Sequence, residues 1–153
     1  MPVDLHADMQ GVLWGKLLVN LFNPINALVN IPIREQMLQR ESRRVFAALQ
    51  SEALDVLKAA RIRPTKVLAA APHLLPKIMR LPNWLFLRIV AKTLTTNPTA
   101  RTSMCEDLQQ GRVTEIDDLC GAVVRMASKH GVAAPLNQKL CELIKNYQPG
   151  QVW

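Results

Sequence analysis

The chain has 153 residues, 49% of them hydrophobic and 20% charged, which suits a single domain with its own core and argues against disorder. Its net charge of +7 favours anionic partners, whether nucleic acid, phosphates or a carboxylate substrate. Cys105, Cys120 and Cys141 are irregularly spaced and His6, His73 and His130 lie far apart, so neither a disulfide framework nor a metal site is expected.

The first element is a helix over 9–29, bent or ended near Pro24. Its apolar run is broken by Lys16, Asn20, Asn23, Pro24 and Asn26, so no membrane span is expected. No basic run opens it as in a signal peptide, and a cytoplasmic location is expected. Residues 41–60 place Val45, Leu49, Ala53, Val56, Leu57 and Ala60 at helical spacing, which predicts one core-facing stripe. Arg63-Pro64 should end that helix, because a residue before proline leaves the helical region.

Prolines at 64, 72, 76, 82 and 98 punctuate the next stretch and allow short helices plus one longer one over about 82–94. That helix carries Trp84, Leu85, Leu87 and Ile89 and is expected to be buried between neighbours. A short helix over 103–110 should stop at Gly111. Thr114-Glu115-Ile116-Asp117 resembles a capping box opening a helix that buries Ile116, Leu119, Cys120, Val123, Val124 and Ala127, ended by His130-Gly131. Pro135 opens a last helix with Leu136, Leu140, Leu143, Ile144 and Tyr147 on one face. No strand pair is apparent. Six to eight helices with short connections predict an all-α, orthogonal multi-helix bundle. The expected organisation is a lead-in over 1–10, a helical domain over 11–147 and a tail over 148–153.

The chemically informative segment is Trp14-Gly15-Lys16-Leu17-Leu18-Val19-Asn20-Leu21-Phe22-Asn23. Eight of residues 12–22 are apolar, which implies burial on most sides. Lys16, Asn20 and Asn23 fall at i, i+4 and i+7 and so share a helix face. A solvent-facing polar stripe would explain them, but one lysine beside two amides also suits a pocket: a desolvated ammonium has a lowered pKa and becomes a usable proton donor. Ser103 and Glu115 each lie near a predicted helix N-terminus. Ser103-Met104-Cys105-Glu106 fits a capping box, and Glu115 fits a first-turn carboxylate favoured by the helix dipole.

The order of these segments resembles the C-terminal domain of the ketopantoate reductase family. The resemblance runs from Trp14-Gly15-Lys16-Leu17-Leu18-Val19-Asn20 through Ser103-Met104 and Asp107 to Gly111-Arg112-Val113-Thr114-Glu115-Ile116-Asp117. Gly121, His130-Gly131-Val132, Pro135 and Asn137 continue it, so it covers about 11–146. It implies a fold like the C-terminal domain of 6-phosphogluconate dehydrogenase, and a part in the NADPH-dependent reduction of 2-dehydropantoate to pantoate for pantothenate synthesis. It further implies Lys16 as general acid, Glu115 as the group that hydrogen-bonds the substrate hydroxyl and orients the lysine, Ser103 on the substrate carboxylate, and Asn20 holding Lys16 or the substrate. The family's second asparagine, eight residues after the lysine, is Pro24 here, and Asn23 or Asn26 is expected to replace it.

The family also carries an N-terminal dinucleotide-binding domain. No G-x-G-x-x-G occurs among the six glycines, so that domain is expected to be the missing partner of an excised domain, a truncated gene product or one piece of a split enzyme, and this chain alone to be inactive. Two other readings compete: a basic nucleic-acid-binding module built on Arg34, Arg40, Arg43 and Arg44, which lacks interleaved aromatics, and an oligomerisation module or homodimer formed through exposed apolar surface.

Overall fold

The computed structural model describes residues 2–94 and 97–151, with side chains from residue 9 onward. Among these residues there is no strand, and the all-α expectation holds. Helix α1 (Pro2–Asn20) takes in the residues read as a lead-in, and α2 (Phe22–Val29) follows it after one residue. The helix expected over 9–29 is thus interrupted at Leu21, not at Pro24. Proline at 24 has no N–H for the carbonyl of Asn20, and its ring crowds that same group, so the break falls one turn before the proline. The window Met9–Val29 is long and apolar enough to cross a membrane by composition. In this fold, however, Leu18, Leu21, Phe22 and Ile25 are core residues.

Short α3 (Ile33–Leu38) leads to α4 (Arg40–Ala59), the central helix, which packs on α2, α3, α5 (Leu75–Met79), α8 (Cys120–Lys129) and α9 (Pro135–Lys145). Phe46 of α4 meets Phe22 of α2 edge-on, with ring centroids 5.5 Å apart. The inward face of α4 carries Arg43, Phe46, Ala47, Leu49, Gln50, Ala53, Val56 and Leu57. Val45, expected in the stripe, is 50% exposed. Leu49, Ala53, Val56 and Leu57 are buried as expected, while Phe46 takes the inward position beside Val45 and two polar side chains, Arg43 and Gln50, join the core. After Ala60 the chain turns through left-handed Arg61 (φ 58°), just ahead of the expected Arg63-Pro64 stop.

Residues 63–67 then run along α1. Thr65 N–H donates to the carbonyl of Gly11 at 2.8 Å. A Cβ on Gly15 would collide with the Thr65 carbonyl, and one on Gly11 would come within 2.7 Å of the Arg63 carbonyl. Glycines at i and i+4 therefore let an extended segment lie directly on the helix backbone.

Helix α6 (Asn83–Val90) is shorter than expected and starts after Pro82. Its expected burial is also wrong. Phe86 is buried, but Trp84 is 68%, Ile89 52% and Leu87 36% exposed. A single neighbouring layer covers α6, so only one of its faces finds a partner.

Helix α7 (Ser103–Gln109) packs on α2. It closes as expected at Gly111, in a left-handed conformation (φ 69°). There Gly111 N–H bonds the Leu108 carbonyl and Arg112 N–H that of Asp107, a Schellman turn.

The Thr114 capping box does not form as read. A 3₁₀ turn over Ile116–Asp118 precedes α8, with Glu115 at its N-cap. Asp117 Oδ1 accepts from Lys145 Nζ at 2.7 Å, so this carboxylate ties α9 to the turn instead of capping Thr114. Val124 is half-buried. In α9, Leu136 is exposed and the buried position is Asn137. The N–H groups of Leu136 and Asn137, and Asn137 Nδ2, all donate to the Glu52 carboxylate of α4 at 2.8–3.0 Å. A carboxylate at a helix N-terminus satisfies orphan donors and complements the dipole.

Candidate functional site

The break between α1 and α2 shapes the candidate site. It leaves Asn20 as the last residue of α1 and Asn23 in the first turn of α2, both half-buried. Both line a cavity of about 200 Å³, together with Thr102, Gln50 and the apolar side chains of Val19, Phe22, Ile33, Met37, Phe46, Leu68, Leu75 and Met79. The walls come from α1 to α5 and the end of the loop before α7.

Thr102 is the N-cap of α7, where its Oγ1 accepts from Cys105 N–H at 3.2 Å. Ser103, expected to be that cap, is instead the first helical residue and is exposed. Thr102 takes the capping role because its N–H and Oγ1 both donate to Asn26 Oδ1, at 3.0 and 3.1 Å. The Ser103 hydroxyl is therefore spared from the cap, at a position adjoining the cavity rim.

Asn26, one of two expected replacements for the asparagine absent at position 24, is fully used elsewhere. Its Nδ2 donates to the Ile31 carbonyl and to Gln36 Oε1, and its Oδ1 receives Thr102. Asn26 is a buried clamp joining α2, α3 and α7. Of the two, Asn23 is the one that lines the cavity.

Lys16 does not fit the expectation of a buried ammonium. It is exposed, one turn before Asn20, and water solvates it in this chain. The same surface of α1 carries Met9, Val12 and Leu13, which are 64%, 48% and 62% exposed. Glu115 is exposed as well, on the connection between α7 and α8. Neither Lys16 nor Glu115 lines the 200 Å³ cavity. The structure thus gathers Asn20, Asn23 and the neighbour of Ser103 around one opening and leaves the lysine and the carboxylate on open surface.

Sequence reasoning missed Gln50 and Thr102. A glutamine at i+4 from Phe46 and three before Ala53, inside an apolar stripe, was the available signal for the first. A threonine directly before Ser103 was the signal for the second.

The cysteines offer no nucleophile. Burial pushes the Cys120 thiol up to about 12 and raises Cys105 and Cys141 as well, which keeps all three protonated near neutral pH. Among the described residues no cluster of His, Cys, Asp and Glu is suited to a metal. Among the described residues no strand enters a glycine-rich turn of the kind that cradles a dinucleotide's phosphates, and Gly11 and Gly15 are covered by residues 63–67.

The basic cluster read as a nucleic-acid surface loses Arg43, which is 1% exposed and faces inward. Its guanidinium donates to three backbone carbonyls and to Asn83.

Comparison with known proteins identifies the family. The family model described as "Ketopantoate reductase PanE/ApbA C terminal" matches residues 8–148. A 2-dehydropantoate 2-reductase of Vibrio cholerae serotype O1 is 29% identical over 99% of this chain and 45% of its own length. The chain thus spans less than half the length of that relative. Two solved structures share the fold: a PanE/ApbA family ketopantoate reductase from Ralstonia eutropha JMP134, with TM-score 0.66 and 24% identity over 88% of this chain and 40% of the other, and a ketopantoate reductase from Staphylococcus aureus described as dimeric, with TM-score 0.62 and 21% identity over 88% of this chain and 42% of the other. With nearly the whole chain matched and the helical order shared, the protein belongs to the ketopantoate reductase family and corresponds to its helical C-terminal domain.

Proposed function

We propose that this chain is the substrate-binding half of an NADPH-dependent 2-oxo acid reductase of the cytoplasm, acting on 2-dehydropantoate or a close analogue in pantothenate synthesis, and inactive without a nucleotide-binding domain. The observation that carries the reading is the single cavity bounded by Asn20, Asn23 and Thr102, with Ser103 beside it and Lys16 one helical turn away on α1. NADPH, held by a separate nucleotide-binding domain, is the hydride source in this reading.

The chain's own residues do the rest. Ser103 Oγ binds the substrate carboxylate. Asn20 and Asn23 hold the substrate. Lys16 Nζ gives its proton to the carbonyl oxygen as that carbon becomes an alcohol, and Glu115 orients the ammonium. The apolar surface of Met9, Val12 and Leu13 beside Lys16 suits the docking of a second domain.

The test is to supply a family nucleotide-binding domain, fused or in trans, and follow NADPH consumption with 2-dehydropantoate. Reduction by the assembly and none by either part supports the reading. No reduction by a folded assembly sinks it. In that assembly Ser103→Ala should raise KM by about tenfold with little change in kcat, as loss of a binding contact does. A loss confined to kcat would remove Ser103 from the carboxylate.

Self-association is part of the same proposal. Trp84 and Leu87, exposed at i and i+3 on α6, form an apolar patch suited to a second copy of the chain. Light scattering should give about twice the chain mass of 17.2 kDa, and Trp84→Lys should return the monomer. A wild-type monomer at high concentration contradicts the homodimer.

A further inference from the structure

Two adjacent hydroxyls, those of Thr102 and Ser103, stand at the entry to α7, and the proposed chemistry uses only the second. The reason lies in Asn26, which is fully buried on α2. Its Nδ2 donates to the Ile31 carbonyl at 2.9 Å and to Gln36 Oε1 at 2.8 Å. Its Oδ1 accepts the Thr102 N–H at 3.0 Å and the Thr102 hydroxyl at 3.1 Å. A backbone carbonyl can only accept and a backbone N–H can only donate, so the two ends of this amide cannot be exchanged. Both hydrogens and both lone pairs of the amide are thereby taken.

The consequence for Thr102 is chemical. It lies on the cavity wall, but its hydroxyl hydrogen and its N–H both go to Asn26, and its Oγ1 accepts the Cys105 N–H at 3.2 Å. A carboxylate only accepts hydrogen bonds, so Thr102 has none to give one. Ser103, the next residue, is exposed and outside the cap, and its hydroxyl is free to donate. Asn26 also sets where that hydroxyl stands. It follows Asn23 by three residues on α2, so one short helix carries both an amide on the cavity and the amide that pins the start of α7. Ile33 N–H, bonded to the Ala100 carbonyl at 2.8 Å, ties down the same loop. We infer that Asn26 is a positioning residue. By binding both donors of Thr102 it withdraws that residue from the ligand, and it fixes Ser103 at the spacing from Asn23 at which the serine hydroxyl meets the substrate carboxylate. The inference rests on the 2-oxo acid reading and adds to it a buried residue that acts on substrate only through Ser103.

The test is a double-mutant cycle in the assembly with a nucleotide-binding domain, followed by NADPH consumption with 2-dehydropantoate. Asn26→Leu should raise KM by about tenfold, as Ser103→Ala does, and leave kcat within about twofold. Adding Ser103→Ala to Asn26→Leu should then raise KM by less than about twofold, because the serine is already out of place. Thr102→Val keeps Asn26 and removes only the hydroxyl. It should raise KM in the same way, and Thr102→Ser, which keeps both donors, should restore most of the loss. These two variants carry the test if circular dichroism shows that Asn26→Leu does not fold. A full effect of Ser103→Ala in the Asn26→Leu background makes the clamp merely structural and overturns the inference, with the 2-oxo acid reading intact. So does an unchanged KM in folded Asn26→Leu or in Thr102→Val. Ser103→Ala at wild-type KM in an active assembly removes the serine from the carboxylate and overturns the inference as well. No reduction by the folded assembly overturns the 2-oxo acid reading and this inference with it.

Discussion

Arg43→Ala is expected to cost about 3–5 kcal/mol of stability, because it strands several buried acceptors at about 1–3 kcal/mol each and removes a stacked side chain. Total stabilities of such domains are only about 5–15 kcal/mol, so the variant should sit close to unfolding at physiological temperature. Arg43 is 1% exposed, and the acceptors around its guanidinium are neutral carbonyl and amide oxygens. Its Nε donates to the Met79 carbonyl at 3.2 Å, Nη1 to Met37 at 2.8 Å, and Nη2 to Leu81 at 2.9 Å and Asn83 Oδ1 at 2.8 Å. Its Cζ stacks 4.0 Å from the centre of the Phe86 ring.

Met37 and Met79 lie in the last turns of α3 and α5, where carbonyls lack helical partners and the dipole is negative. One guanidinium thus closes two helix ends and anchors the start of α6 on α4. Burial and the nearby Arg40 both push the Arg43 pKa down, but an arginine stays charged in proteins. The carbonyls offset its desolvation. Arg43→Lys should recover only part of the loss, because an ammonium cannot reproduce the planar fork or the stacking. Urea unfolding followed by circular dichroism measures both. A midpoint for Arg43→Ala unchanged from wild type would mean that these carbonyls find other partners.

Arg43 also marks where sequence reading stopped. Helix 41–60 was legible to within a residue at each end, because apolar spacing at 3.6 residues reports the existence of a helix well. Its phase was less legible. Val45 was taken as core for being apolar, and Arg43 as surface for being charged, yet the fold reverses both. Periodicity cannot register that the carbonyls of Met37, Met79 and Leu81, from two different segments, will converge on one side chain.

The same limit explains α6, where Trp84 and Ile89 looked buried. Apolar character states what a helix face prefers, and topology decides whether a neighbour is there. At the candidate cavity, Asn20 and Asn23 were legible as neighbours because helical spacing put them on one face. Gln50 and Asn26 were not, since their partners, Leu18, Gln36 and Thr102, are brought to them only by the folded chain. Lys16 was read as buried from its apolar neighbours. Its exposure follows from the surface of α1 that carries Met9, Val12 and Leu13 into solvent.

That exposure makes Lys16→Ala the sharpest test of the proposed chemistry. In the assembly with a nucleotide-binding domain, turnover should fall by about 10²–10⁴, the usual contribution of a positioned general acid. The fall should appear in kcat and kcat/KM together, because the proton moves only as the alcohol forms. Stability should hardly change, since an exposed lysine on α1 leaves no buried group unpaired when removed. The two readouts separate chemistry from folding: a variant with wild-type unfolding and a hundredfold lower kcat is a catalytic loss. An assembly that keeps full turnover without Lys16 would require another acid. The surface of α1 beside it would then be only a docking face for the second domain.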